Sequence, residues 1–290
     1  MNLNTKDIFK KAVDGGYAIP QLNISSADQM KAVVEAAKKL HSPLMFGTSE
    51  GERKFLGLSQ AVALANIYEK ETGLPVILNA DHTKSMEKVV EAVEAGYNSI
   101  HIDASELSYE ENIKLTRDVV SYVKSINQNI SVEGELGHIG GTGASKVFTD
   151  EVKIDTKFLT DPEEARIFVE KTGIDRLGVA IGNFHGLSTV GEEKLDMERL
   201  SQIQKEVGEK CLLVLHGASG IHDEDIKESV RLGIRKINVN TELRVAFSDA
   251  LKLSLESGET TPYKFLAKAQ EAMQKVVEEK MIICNSNNKA

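Results

Sequence analysis

The residues able to do chemistry gather at the ends of short apolar runs. Asp81 and His82 follow one such run, Asp103 and Glu135 end two others, His185 follows a fourth and His216 closes a fifth. His82, His185 and His216 therefore come from three separate runs. Three neutral imidazoles suit a divalent metal, zinc above all, with one coordination position left for substrate. Such an ion polarises a carbonyl and stabilises a developing enolate. Asp81, next to the first of these histidines, is placed to act as a general acid and base. The other histidines read differently. His41 and His222 fall in connecting segments and are expected at the surface. His101 sits two residues before Asp103, on the same face but deeper, and is expected to make a core hydrogen bond. His138 opens a long polar stretch and is read as structural.

An anion site has its own signal. Gly217-Ala218-Ser219-Gly220 and Asn238-Val239-Asn240-Thr241 both follow apolar runs and precede helical patterns, where exposed backbone N–H groups favour negative charge. Such local dipoles allow a chain of net charge −9 to hold an anionic substrate.

The elements that must position these residues alternate regularly. Strand-like runs are expected at Tyr17–Ile24, Pro43–Glu50, Leu74–Asp81, Ser99–Ser105, Ile130–Gly137, Arg176–Asn183, Leu212–Gly217 and Lys236–Thr241. Amphipathic segments lie between them, among them Ser85–Ala95, Glu110–Lys124, Pro162–Thr172 and Asp223–Leu232. Several segments end on glycine (Gly73, Gly96, Gly173, Gly208, Gly233), the usual residue for a left-handed helix terminus. Eight βα units predict an α/β fold, a (β/α)8 TIM barrel spanning residues 1–290 as one domain, with an additional C-terminal helix at Tyr263–Ile283. In such a barrel the C-terminal strand ends carry the active site, which is where the acids and histidines fall. A doubly wound open sheet is the alternative. It expects a glycine fingerprint after the first strand, where Ser25-Ser26-Ala27 stands instead. One long polar loop, His138–Thr160, interrupts the rhythm and reads as a functional segment.

Composition excludes several classes. Hydrophobic residues make up 41% and charged residues 27%, against disorder. Lys and Arg number 35 against 44 Asp and Glu, with no basic block, against nucleic acid or an anionic membrane as partner. Cys211 and Cys284 form neither a disulfide framework nor a zinc ribbon. No apolar run reaches the roughly 20 residues of a membrane span, and the first residues lack a signal-peptide core, so a cytoplasmic protein is expected.

The motifs Asn79-Ala80-Asp81-His82, Ile102-Asp103-Ala104-Ser105, Val132 to Gly137, Ile181 to Gly186, Leu215 to Gly220 and Lys236 to Arg244 resemble those of the class II ketose-bisphosphate aldolases, over nearly the whole chain and in order. The resemblance implies metal-dependent, reversible cleavage of fructose 1,6- or tagatose 1,6-bisphosphate to dihydroxyacetone phosphate and glyceraldehyde 3-phosphate, with fructose favoured as the glycolytic sugar. It implies that His82, His185 and His216 bind the catalytic Zn2+ and that Asp81 exchanges the C4 hydroxyl proton. Asp103 and Glu135 match an alternative or second divalent site. Gly186, Gly217, Ala218, Ser219, Asn238, Val239, Asn240 and Thr241 match residues holding dihydroxyacetone phosphate, and Asn23 and Ser49 match substrate contacts at the rim. A monovalent cation near the phosphate and a homodimer or homotetramer are further family features. The residues agree with the metal route, since no lysine stands at the C-terminal end of a predicted strand to form a Schiff base.

Two positions depart from the family pattern. An acid usually follows the Gly-Gly of the strand-five loop and moves the proton on the dihydroxyacetone phosphate carbon. Here Gly140-Gly141-Thr142-Gly143-Ala144 has none, and Asp150 and Glu151 are the candidates to replace it. Thr189 stands where many relatives have lysine, with Lys194 as a substitute. The missing acid motivates a reading from another class, a non-catalytic barrel that supports an active paralogue.

Overall fold

Short runs rich in Ile, Leu and Val, flanked by Gly, Ser and Asn, become the strands. In the computed structural model these are β1 (Ile19–Asn23), β2 (Leu44–Thr48), β3 (Val76–Thr83), β4 (Ser99–Ile102), β5 (Ser131–Leu136), β6 (Arg176–Val179), β7 (Leu212–Leu215) and β8 (Ile234–Val239). All eight are parallel and follow chain order around a closed barrel, β8 pairing back onto β1 through Ile19 with Lys236 and Leu22 with Val239. The structure describes residues 4–139, 147–148, 155–188 and 194–290. Nearly every strand position is buried, because one face packs on helices and the other fills the barrel.

The helices are α1 (Thr5–Asp14), α2 (Ala27–Leu40), α3 (Glu50–Leu56), α4 (Leu58–Thr72), α5 (Met86–Ala95), α6 (Tyr109–Ile126), α7 (Pro162–Thr172), α8 (Met197–Val207), α9 (Asp223–Arg231), α10 (Thr241–Glu256) and α11 (Pro262–Ile283). Ile8, Phe9 and Ala12 of α1 pack on Ile19, Met45 and Ile77, closing the N-terminal end of the barrel. The mouth is left to the other end. α11 packs against α2 and α10, and the residues after it lace the fold together. Ala18 N–H donates to Cys284 O at 3.0 Å, Ser42 and Ser286 hydroxyls meet at 2.9 Å, and the amides of Asn288, Lys289 and Ala290 donate to the carbonyls of Leu40 and His41.

Boundaries differ from the sequence reading where side chains take over backbone amides. The second strand stops at Thr48, since Ser49 and Glu52 form a capping box that starts α3. The sixth stops at Val179 because Thr160 Oγ1 accepts the Ala180 amide and Asn183 Oδ1 the Ile181 amide. The eighth begins two residues early, at Ile234. In the long loop, His138 N–H reaches Phe158 O at 2.9 Å and Thr156–Phe158 forms a 3-10 turn. Outside the barrel, Val147–Phe148 pairs with Leu187–Ser188. Gly140 to Ala144, Asp150, Glu151 and Thr189 lie outside the described residues.

Candidate active site

Adjacent residues of a regular strand face opposite sides, so Asp81 and His82 should not share a pocket. β3 solves this with an irregularity. Its register against β4 shifts between Ala80 and Thr83, and His82 takes a left-handed φ of 44°. That conformation costs a non-glycine residue about 1–3 kcal/mol and re-aims the side chain. The His82 amide is held at 3.1 Å by His101 Nδ1. Both Asp81 and His82 then line a cavity of about 590 Å³ at the C-terminal ends of the strands.

The imidazoles crowd one side of that cavity. The His82 ring centroid lies 4.8 Å from that of His185 and 4.9 Å from that of His216, while His185 and His216 are 6.0 Å apart. His82 Nδ1 is 2.8 Å from Asp103 Oδ2. His216 Nε2 is 2.9 Å from Glu133 Oε1, and its Nδ1 accepts from Asn238 Nδ2 at 3.0 Å. His185 Nε2 is buried without a hydrogen-bond partner among the described residues, and burial with the neighbouring His82 pushes its pKa down to about 3, so the ring is neutral.

Donor atoms of Asp81, His82, His101 and His216 lie within 4.8 Å of one another, as do those of His82, Asp103 and Glu135. The set thus has two overlapping centres sharing His82. His101, expected in a core hydrogen bond, does accept from the His82 amide, and its Nε2 lies 3.5 Å from Glu135 Oε2. Burial opposes a charge on this ring and Glu133, Asp81 and Glu135 favour one, while the hydrogen bond accepted at Nδ1 belongs to the neutral form.

Asp81 is only 2% exposed. Asn238 Nδ2 donates to its Oδ1 at 3.1 Å and Asn23 Nδ2 to its Oδ2 at 3.0 Å. Burial alone would raise this carboxyl; His82, His101 and Lys236 overcome it and hold the group well below the usual carboxylate range. The carboxylate is therefore ionised and oriented.

The lining beside the histidines suits an anion. α10 begins at Thr241 without a side-chain cap, and Gly217, Ser219 and Thr241 line the cavity beside its N-terminus. Gly217 has φ 64°, and a Cβ there would collide with the Phe184 carbonyl. Gly186, Asn238, Asn240, Asn23 and Ser49 also face the cavity. Ala218 and Val239 are fully buried behind this lining. Lys194 is exposed and does not line the cavity.

Three side chains escaped the sequence reading. Glu133 takes hydrogen bonds from Arg176 at 2.9 Å and from Lys236 at 2.7 and 2.8 Å, beneath the histidines. Strand period alone places Glu133 on the inward face with Glu135, and Lys236 with Asn238. Glu52 joins the cavity from the first turn of α3. Its signal was the Ser49-x-x-Glu52 spacing.

The donor set fits a divalent ion of the zinc type. It is rich in imidazole nitrogen, it contains a buried nitrogen, His185 Nε2, with no hydrogen-bond partner among the described residues, and Glu133 fixes one nitrogen of His216 as carboxylates do behind metal-bound histidines.

Known proteins share this sequence pattern and fold. The family described as fructose-bisphosphate aldolase class-II matches residues 3–289. The YdjI aldolase from Escherichia coli K12 superposes with a TM-score of 0.84 at 32% identity, covering 100% of both chains. A putative fructose-1,6-biphosphate aldolase from Coccidioides immitis gives 0.86 at 28% identity, over 99% of this chain and 98% of that one. Fructose-bisphosphate aldolase from Campylobacter jejuni gives 0.81 at 27% identity, over 99% and 95%.

Proposed function

The chain belongs to the class II fructose-bisphosphate aldolase family, and on that premise we propose that it reversibly cleaves a ketose phosphate to dihydroxyacetone phosphate and an aldehyde. The reference substrate is fructose 1,6-bisphosphate, giving glyceraldehyde 3-phosphate; tagatose 1,6-bisphosphate, which differs at C4, is the alternative. The observation that carries this reading is Asp81, ionised and clamped by two amides beside the histidine cluster.

Asp81 takes the proton of the C4 hydroxyl as the C3–C4 bond breaks. The electron pair of that bond passes to C3 and is delocalised onto the C2 carbonyl, leaving the enediolate of dihydroxyacetone phosphate. His82, His185 and His216 would hold Zn2+, which when bound supplies Lewis-acid polarisation of the C2 carbonyl. Asp103 and Glu135 offer the alternative or second divalent position around His82. Asn23 and Asn238 keep the Asp81 oxygens aimed at the substrate. The C1 phosphate is taken by Gly186, Gly217, Ser219 and the α10 N-terminus, with a monovalent cation beside it. Asp150 or Glu151 moves the proton on the dihydroxyacetone phosphate carbon. No Schiff-base lysine competes among the described residues: Lys84 is paired with Asp103 at 2.7 Å and Lys236 is sealed against Glu133.

The same reading makes the protein a cytoplasmic homodimer or homotetramer acting on a phosphorylated sugar. Among the described residues no helix is long and apolar enough to cross a membrane.

The test is a coupled cleavage assay on both bisphosphates, with and without chelator, beside Asp81→Ala. Chelator-sensitive cleavage lost in the variant is expected. A protein that holds no stoichiometric zinc and cleaves nothing would instead be a supporting barrel.

A further inference from the structure

Asp81 and His82 share one peptide group, the carbonyl of the first and the N–H of the second. In β3 that peptide sits inside a bulge. Ala80 pairs with Ile100 and Thr83 with Ile102, so Asp81 and His82 together oppose the single residue His101 of β4. A bulge takes backbone groups out of the ladder, and buried ones must find partners elsewhere. Here side chains take both ends of the peptide. His101 Nδ1 accepts from the His82 amide at 3.1 Å, and Arg53 Nη1 donates to the Asp81 carbonyl at 3.2 Å. Arg53 is itself fixed, by the Thr48 carbonyl at 2.7 Å and by Thr83 Oγ1 at 3.0 Å. The peptide is thus gripped from β4 on one side and from α3 on the other.

The grip matters because turning this peptide changes where two side chains point. The φ of 44° at His82 is the torsion on its N-terminal side, and a non-glycine residue holds such a value only when its surroundings enforce it. Released to an extended conformation, the strand would alternate and send His82 away from the cavity that Asp81 faces.

His101 itself is fully buried and does not line that cavity. Its donor atoms lie close to those of Asp81, His82 and His216, which raises the alternative of a metal ligand. The hydrogen bonding speaks against it. Nδ1 has a single lone pair, and the His82 amide takes it. The ring proton then sits on Nε2, which lies 3.5 Å from Glu135 Oε2. Neither nitrogen is left to bind an ion.

We propose that His101 is a positioning residue: by accepting the His82 N–H opposite Arg53, it holds the bulge that brings the Asp81 carboxylate and the His82 imidazole into one cavity. The role given to Asp81 rests on the aldolase reading above.

The experiment compares His101→Asn with His101→Leu. The two side chains branch alike, but only asparagine keeps an acceptor where Nδ1 stands. Co2+ is titrated into chelator-treated protein and followed by its visible absorption, and kcat on fructose 1,6-bisphosphate is measured at saturating Co2+. His101→Asn should bind Co2+ within about threefold of wild type and with the same spectrum, whereas His101→Leu should bind about 10- to 100-fold more weakly, with an altered spectrum and a lower kcat. Wild-type Co2+ binding by His101→Leu overturns the proposal. So does an asparagine variant that loses as much as the leucine one, the result a ligand would give. Should His101→Leu not fold, His101→Gln, whose polar atoms lie one bond farther out, replaces it under the same two readings. Wild type that binds Co2+ but cleaves neither bisphosphate overturns the aldolase reading, and the Co2+ comparison still decides whether His101 positions His82.

Discussion

Glu133 and Glu135 stand two residues apart on β5, face the same interior and live in opposite circumstances. Glu133 receives Arg176, Lys236 and His216, and Arg176 in turn reaches Ser131 and, at 2.7 Å, Ser99. Every one of these groups has a partner. One layer higher, Glu135 Oε2 has only His101 Nε2 at 3.5 Å, and His185 Nε2, Asn238 Oδ1 and Asn240 Oδ1 around it have no hydrogen-bond partner among the described residues. Above the saturated layer the backbone is strained as well, at His82. The lower barrel is built to hold its shape, whereas the upper layer keeps unmet bonding capacity for something that arrives. The strain above is tolerable because the layer beneath over-determines it.

That contrast can be broken from either side. The largest effect is expected at the mouth: Asp81→Asn should lower kcat by about 10²- to 10⁴-fold while leaving the unfolding midpoint near wild type, read by steady-state kinetics beside thermal melting. Below, Lys236→Met should cost about 3–5 kcal/mol in urea unfolding, because Glu133 is left buried with one cation fewer. The pH dependence follows from the same pair. Burial opposes the charge of Glu133, but Lys236, His101, His216 and Arg176 hold its carboxyl well below the ordinary range. Its stabilising contribution is therefore complete above the unfolded-state value and lost only as pH falls through the depressed one. Lys236→Met raises that folded value, so acid unfolding should set in at higher pH than in wild type. A finer cut separates the two glutamates. Glu133→Gln should cost roughly 2–3 kcal/mol and Glu135→Gln less than about 1, and equal losses would erase the distinction between the layers. The smallest effect is chemical: burial raises the Cys211 and Cys284 thiols, Cys284 to about 12, so neither should react with a thiol reagent at pH 8 until the protein unfolds.

Much of this was legible in the sequence, for physical reasons. Eight apolar runs separated by amphipathic segments sufficed for the barrel, because strand burial is nearly continuous and leaves an unambiguous pattern. The histidines and acids at run ends located the mouth. The irregularity in β3 was not legible, since no local residue type announces a shifted register. Strict alternation would have sent His82 outward. Lys236 was passed over because it lay at the wrong end for chemistry, and its pairing with Glu133 joins residues far apart in sequence. Glu52 was readable as a capping residue, but not as a side chain that also gathers Asn23 and Asn240.

The lacing of residues 284–290 onto Ala18, Leu40, His41 and Ser42 bears on how the protein comes off the ribosome. Synthesis delivers β1 and β2 early, whereas α11, which packs over α2, and the segment that ties them down come much later. Until β8 pairs with β1 the nascent chain is an open sheet with two exposed edges, β1 at the front and the newest strand behind. The interval before that closure is when the chain most needs a chaperone's shelter.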